Sequence, residues 1–275
     1  MRPRFWKIGL AVAALGTLGL VGARVAQAHG PGAWQHHIDK KLGALLDTAK
    51  ATPEQRAAVR AAVEHVTTTF REVGRDHAGE MDQALQMFEA DKLDARAIEA
   101  HRAKHEAEMK KVSDAVVQAL FDTHDAFTAP QRKALADAVR AQHAEHAGGG
   151  LREQFFKGMI NEHIEDALDE AKVTDAQRAK VNAARDRVFA VIGEIHAGRA
   201  ADLNTALDLF TADKIDAQKV EALRAKHQGE MRRAADAITQ AVTEVHDTLD
   251  AGQRKAIVEY VRAHRPSPGH WGHPG

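Results

Sequence analysis

Histidine is the residue type through which this chain could do chemistry. Seventeen of its 275 residues are histidine and none is cysteine, so imidazole, not thiolate, is the transition-metal donor on offer. One set lies near the ends. His29, His36 and His37 fall within "HGPGAWQHH", and His264, His270 and His273 within the closing "HRPSPGHWGHPG". Short His-rich tracts bind metals, and imidazole suits Zn²⁺, Cu²⁺ and Ni²⁺. A second set is internal and occurs twice: His105 with Met109, and His227 with Met231. A spacing of four places both side chains on one helix face, where imidazole and thioether together suit copper or nickel. The same pairs also read as core positions, a histidine on an apolar seam beside a gap-filling methionine. The apolar residues around them favour that second reading. Third, His124 and His246 each precede an aspartate, a pairing that can order a turn between helices. Catalysis needs a nucleophile beside such a base, and the chain has neither a cysteine nor a serine on a strained elbow. The residues therefore predict no enzyme and no required cofactor, with Zn, Cu or Ni as the ions the histidines suit.

The elements that must position these residues are helices. Ala, Glu, Lys, Arg, Gln and Leu dominate, and only Pro53 and Pro130 fall between residues 33 and 265. One six-residue pattern punctuates the chain: "ATPEQR" at 51–56, "FTAPQR" at 127–132, "VTDAQR" at 173–178 and "LDAGQR" at 249–254. Each reads as a helix start. The Thr52 hydroxyl can accept from the Gln55 N–H while the Gln55 side chain reaches back to the Thr52 N–H, a capping box. Pro53 then falls at the first helical position, where its missing N–H costs nothing. Thr128 with Gln131, and Thr174 with Gln177, repeat the box, and Asp250 with Gln253 exchanges one good N-cap for another. Capping alone does not explain why each copy closes on Gln-Arg.

The spacing of the pattern is lawful. Thr52 to Thr128 is 76 residues, and so is Thr174 to Asp250. Sliding the chain on itself by 122 aligns residues 37–143 with 159–265 without a gap, and about half the positions from Phe88 to Ala141 are identical. Such an internal repeat decides the architecture. It predicts an all-α chain of two tandem four-helix repeats: repeat one over 29–147, a Gly linker at 148–150, repeat two over 151–265, and a His/Gly/Pro-rich tail over 266–275. In the first copy the helices run from about Trp34 to Lys50, from Pro53 to about Ala90, from the N-cap Asp94 to about Ala126, and from Ala129 to about Ala147. A helix of ~35 residues is ~50 Å long, which predicts long helical hairpins. Their apolar stripes are narrow: Val59, Val63, Val66, Phe70 and Val73 on one helix, and Ile98, His105, Met109, Val112, Val116 and Leu120 on the next. Seams of that width resemble coiled-coil packing and leave one repeat with a poor core. The two repeats are therefore expected to pack as an intramolecular pseudo-dimer cradle, with the motifs marking four equivalent helix crossings. His101, His143 and His146 have no counterpart across the repeats and read as surface residues.

The first 28 residues read as a secretory signal peptide. "MRPRFWK" is a basic n-region, 8–23 an apolar stretch of 16 residues, and Ala26-Gln27-Ala28 a small-x-small cleavage site. The stretch is short for a membrane span, which needs about 20 apolar residues. The expected location is the periplasm, with no stable membrane insertion after cleavage. His29 becomes the new N-terminus, where α-amine and imidazole can chelate a metal together. Removing Arg2, Arg4, Lys7 and Arg24, and no acid, takes the formal net charge from −1 to −5. That argues against nucleic acid as a partner, which wants a basic face.

The signal peptide, about 110 residues of long helices per repeat, and paired Thr-x-x-Gln motifs 76 residues apart resemble the Spy/CpxP family of periplasmic stress proteins, whose signature is Leu-Thr-x-x-Gln. ZraP-like zinc-responsive proteins and the nickel/cobalt sensor CnrX belong to the same superfamily. The resemblance implies ATP-independent chaperone binding of unfolded or misfolded envelope proteins, or periplasmic heavy-metal binding, sensing or resistance. It assigns the motif to the helix crossing and not to chemistry. Family members usually carry one repeat and dimerise, so a chain with two is expected to be a monomeric pseudo-dimer or a higher oligomer. The ligands of the CnrX-like sensor do not carry over. Its His-x-x-x-His falls near Leu42 and Leu46 here, and its His-x-x-x-Met at Ala119 and Thr123.

Overall fold

Capping chemistry sets the helix boundaries. The computed structural model describes residues 39–76, 79–146 and 150–264, which form helices joined by short turns, with no strand among them. The first helix, α1, is described over 39–48. It ends in a Schellman turn, in which the N–H groups of the two residues after the helix satisfy its last carbonyls. Lys50 takes a φ of 50°, its N–H donates to the Asp47 carbonyl at 3.0 Å, and Ala51 donates to Leu46 at 2.9 Å. Then come α2 (Pro53–Asp76), α3 (Glu80–Glu89), α4 (Ala95–Ala126) and α5 (Ala129–His146). The second copy supplies α6 (Gly150–Glu170), α7 (Asp175–Thr211), α8 (Ala217–Thr248) and α9 (Ala251–Ala263). Lys172, 122 residues after Lys50, closes α6 with the same turn and the same φ of 50°. Asp94 and Asp216 cap α4 and α8 by accepting from two backbone N–H groups each, as an N-cap aspartate should.

Two boundaries differ from the expected ones. The long second helix runs unbroken in the second copy as α7, but in the first it is divided into α2 and α3. At the break Gly79 stands where the second copy has Ala201, a change that costs about 1 kcal/mol of helix propensity. α7 carries Gly193 and Gly198 and still runs on, so the position of the glycine matters as well as its type. The Gly linker is also shorter than expected, because Gly150 already belongs to α6.

Narrow seams zip the hairpins. α2 lies along α4, and α7 along α8. Val59, Val63, Val66 and Val73 are buried as the spacing predicts, as are Val112 and Leu120 on α4. His105 and Met109 are only half-buried, and the residue that turns deepest into the seam there is Glu108, 5% exposed. The larger core sits at the motif end. Leu42, Leu45 and Leu46 pack with Val59, Leu120, Phe127, Leu135 and Val139, and the same cluster takes in Leu207, Leu209 and Phe210 from the end of α7. α5 packs on α7 and α3 on α9, so each copy's core receives the end of the other copy's hairpin. Phe210, 1% exposed, is a contact whose truncation to alanine typically costs about 3–5 kcal/mol.

Between the hairpins the contact is charged. Arg102 on α4 pairs with Asp236 on α8, Glu106 with Arg232, and Asp114 with Arg224. Position rises on α4 as it falls on α8, so the two helices run antiparallel. Arg102–Asp236 and Asp114–Arg224 are the same pair displaced by 122 residues. A hydrogen bond from Lys110, with Arg224 beside it, holds the Asp114 carboxyl below the usual aspartate range.

Lysine in the left-handed region carries a steric penalty that glycine lacks. Lys172→Gly is expected to stabilise the protein by about 0.5–1 kcal/mol, seen as a rise of about 1–4 °C in thermal midpoint. A fall would show that the turn is not the one described.

Candidate functional site

The four motifs come together as two crossings, not four. Gln55 Nε2 donates to Gln131 Oε1 at 2.9 Å, and Gln131 Nε2 donates back to Gln55 Oε1 at 3.0 Å. Gln55 Nε2 also donates to the Ala126 carbonyl at 2.8 Å, at the end of α4. The second copy repeats this arrangement with Gln177, Gln253 and the Thr248 carbonyl. The capping boxes supply the rest: Thr52 and Thr174 N–H donate to their glutamine carbonyls, and the Gln55 and Gln177 N–H groups donate to the threonine hydroxyls. Asp250 and Gln253 make the same reciprocal box. At Thr128 both N–H and hydroxyl donate to Gln131 Oε1. One glutamine thus caps its own helix with its oxygen and crosses to the partner helix with its nitrogen. Glutamate or a shorter amide could not do both, which is why capping alone left the residue unexplained.

The arginine that follows has a different task in two of the four copies. Arg132 and Arg254, both 7% exposed, donate to the carbonyls of Phe127 and Leu249 at 2.8 Å. Arg132 continues to the Ala212 carbonyl at 3.0 Å, and Arg254 lies 3.7 Å from the Asp91 carboxylate. The duplicated His–Asp pairs complete the junction. His124 sets Nδ1 2.9 Å from Asp125 and Nε2 2.9 Å from the Ala212 carbonyl. His246 sets Nδ1 3.3 Å from Asp247 and Nε2 2.9 Å from the Ala90 carbonyl. Each imidazole meets a phenylalanine edge-on, His124 with Phe210 and His246 with Phe88. These histidines therefore hold the opposite copy's hairpin as well as their own turn.

The internal His/Met pairs lie along the hairpins, between the turns and the motif ends, on α4 and α8. His227 is brought together with Asp202 of α7 and Glu230 of α8, their ligand atoms all within 4.8 Å of one another. His227 Nδ1 is 3.2 Å from Glu230 Oε2. Lys226 hydrogen-bonds Asp202 Oδ1 and stands 3.7 Å from Glu230. The Asp202 carboxylate, with Glu230 beside it, holds that ammonium above the ordinary lysine range. Burial pulls the neighbouring Arg199 below its ordinary range, and Glu230 opposes this. The first copy has Glu80, Lys104, His105 and Glu108 at the matching positions, with Lys104 2.7 Å from Glu80 and 3.6 Å from Glu108. Asp202 and Glu230 were not among the expected ligands. The His-x-x-Glu spacing, present in both copies as "KHEAEM" and "KHQGEM", was the signal for Glu230. Nothing local marks Asp202, which comes from the other arm of the hairpin.

Of the terminal histidines, His264 ends α9, with Nδ1 2.9 Å from the Tyr260 carbonyl and its ring stacked on Tyr260. His29, His36, His37, His270 and His273 lie outside the described residues, as does the signal segment. The positions matching the CnrX-like sensor ligands are filled by core: Leu42, Leu46, Ala119 and Thr123 are each 5% exposed or less.

The described residues form paired helical hairpins tied by Thr-x-x-Gln crossings, an all-α architecture. Residues 9–134 match the family model described as heavy-metal resistance, and residues 159–260 match that of the LTXXQ motif family. The chain belongs to the Spy/CpxP/ZraP-like superfamily that these two models describe. No curated protein and no solved structure matches it significantly.

Removing one glutamine of a crossing strands the other's half-buried amide, at a cost of about 1–3 kcal/mol. Gln177→Leu and Gln253→Leu are each expected to lower the unfolding free energy obtained from urea titration by that amount. The double variant should cost less than the sum of the two, because the second change strands nothing new. Strict additivity in that cycle would show that the pair does not act as a unit.

Proposed function

We propose that the chain is a periplasmic, ATP-independent chaperone that holds unfolded or misfolded envelope proteins. The observation that carries this reading is the exposure of large apolar side chains on charged helices. Phe155 is 68% exposed, Met81 49% and Ile238 46%, joined by Ile160, Val242 and Met159. Phe155 with Met159, and Ile238 with Val242, are i,i+4 pairs that share a helix face. Isolated apolar residues on a surface are ordinary, but paired ones amid both signs of charge offer shallow, adaptable contacts for an extended chain. Methionine suits such promiscuous surfaces. A recess lined by Asp39, Leu42, Arg60, Ala61, Val63 and Glu64 lies open to solvent, which suits a polypeptide better than an enclosed small molecule. No described helix is long and apolar enough to cross a membrane.

At an equimolar ratio the mature protein is expected to suppress most of the light scattering of a chemically denatured client on dilution. A Phe155→Ser/Met159→Ser variant should lose at least half of that effect while keeping its helical circular dichroism. Unchanged client scattering with the wild-type protein would end the proposal.

A second reading follows from the heavy-metal resistance model that residues 9–134 match. In it the His-rich ends bind Zn²⁺, Cu²⁺ or Ni²⁺, as buffer or sensor. Calorimetric titration should show weaker or fewer sites when 29–37 and 264–275 are removed. Equal binding by both forms would exclude the ends.

A further inference from the structure

We propose that Asp202, His227 and Glu230 form a divalent-metal site of the zinc class between α7 and α8, in which the Lys226 ammonium is the resident cation that the metal displaces. The inference goes beyond the chaperone reading and involves neither the His-rich ends nor the sensor-type positions.

Three observations carry it. The donor set is one imidazole and two carboxylates, which together bind zinc and similar ions at about 2.0–2.2 Å. Donors around such an ion sit about 3–3.5 Å apart at those bond lengths, and these three already lie within 4.8 Å of one another. His227 and Glu230 are one turn apart on α8 and Asp202 faces them from α7, so rigid helices preset the geometry and side-chain rotation closes it. Next, Asp202 is held in an unfinished state. Its side chain is 9% exposed; Oδ1 takes Lys226, and Oδ2 is buried with no hydrogen-bond partner. A buried carboxylate oxygen left so is destabilising, and a divalent ion between the two carboxylates would satisfy it. Finally, the cation now present is replaceable. The Lys226 side chain is 46% exposed, so it can swing into water without repacking the core. Gly198 keeps that side roomy: a Cβ there would sit 3.7 Å from Lys226 Nζ and 3.9 Å from Asp202 Oδ2.

The first copy keeps the lysine, histidine and glutamate but presents Glu80 where the second has Asp202. Among the described residues only the second copy gathers the three ligands. One ion per chain is therefore expected at this place.

The test uses the full mature chain with His29, His36, His37, His264, His270 and His273 replaced by alanine, so that the ends do not contribute. Zn²⁺ titration should retain one site per chain and raise the thermal midpoint. Asp202→Asn and His227→Gln should each weaken that site at least tenfold. Half-exposed His227 is the safer change, should the buried aspartate be needed for folding. Lys226→Met should lower the metal-free midpoint, tighten zinc about tenfold, and recover the lost stability on adding zinc. A lysine serving only as a salt bridge gives the first effect without the other two. Zinc binding unchanged by His227→Gln, or a Lys226→Met chain that zinc does not rescue, overturns the proposal. A failed unfolded-client assay leaves either result standing.

Discussion

Two backbone carbonyls, those of Ala90 and Ala212, hold this molecule together. Each closes the outgoing helix of a hairpin, where the last carbonyls lack intrahelical partners and carry the negative end of the helix dipole. A helix end left without partners would be costly. Each carbonyl instead meets an imidazole nitrogen from the other copy, 2.9 Å away, and Ala212 meets Arg132 as well. That docking fixes how far each hairpin reaches into the other copy. Only then can Phe210, Leu207 and Leu209 fill the core formed by α1, α2 and α5. The Gln–Gln crossings stand directly beneath, since Gln55 and Gln177 hold the carbonyls of Ala126 and Thr248, just before the turns that position Arg132 and Arg254.

Stability is therefore distributed unevenly along the hairpins. At the motif ends apolar burial and buried charge-assisted hydrogen bonds coincide. Along the middle, α4 and α8 meet through arginine–carboxylate pairs whose acidic partners are half exposed. Such pairs are worth about 0–1 kcal/mol each and are screened by salt. They set the antiparallel register more than they hold the copies together. A protein built this way keeps a large surface of loosely tied, mixed-charge helices between two firm ends. Side chains such as Ile238 and Val242 can stay exposed there without threatening the fold.

The fold was largely legible because its information is local or periodic. Capping boxes and the 122-residue displacement concern neighbours in sequence or exact repetition. The seam valines followed from helical spacing. What escaped was contact between distant segments. The glutamines were read as caps because their outward hydrogen bond joins residues 76 apart, which a single helix start cannot reveal. His124 and His246 were rightly paired with their aspartates, yet their second nitrogen goes to the other copy. His105 and Met109 were placed on the seam by period alone. Glu108 takes the deepest position instead, because Lys104 neutralises it from one turn away. The helix break at Gly79 was also hidden, since glycines elsewhere in α7 leave that helix whole.

The two copies share Lys-His-x-x-Glu-Met letter for letter, yet they place it against different scaffolds. α8 lies along one unbroken helix, which brings Asp202, a methylene shorter than glutamate, up to His227 and Glu230. α4 lies along a helix divided after Asp76, with Glu80 restarting the chain beyond the break. In a symmetric dimer of a single repeat every substitution appears twice, so a change that suits one hairpin is imposed on the other. Two repeats in one chain are free of that constraint. The junction residues, where each copy must receive the other, remain matched: His124 with His246, Arg132 with Arg254, Gln131 with Gln253. The stretches between the docked hairpin tips and the motif ends face no such reciprocal demand, and it is there that helix continuity, Asp for Glu and Arg199 for His77 set the copies apart. Identity is kept where the halves hold each other, and difference accumulates where they do not.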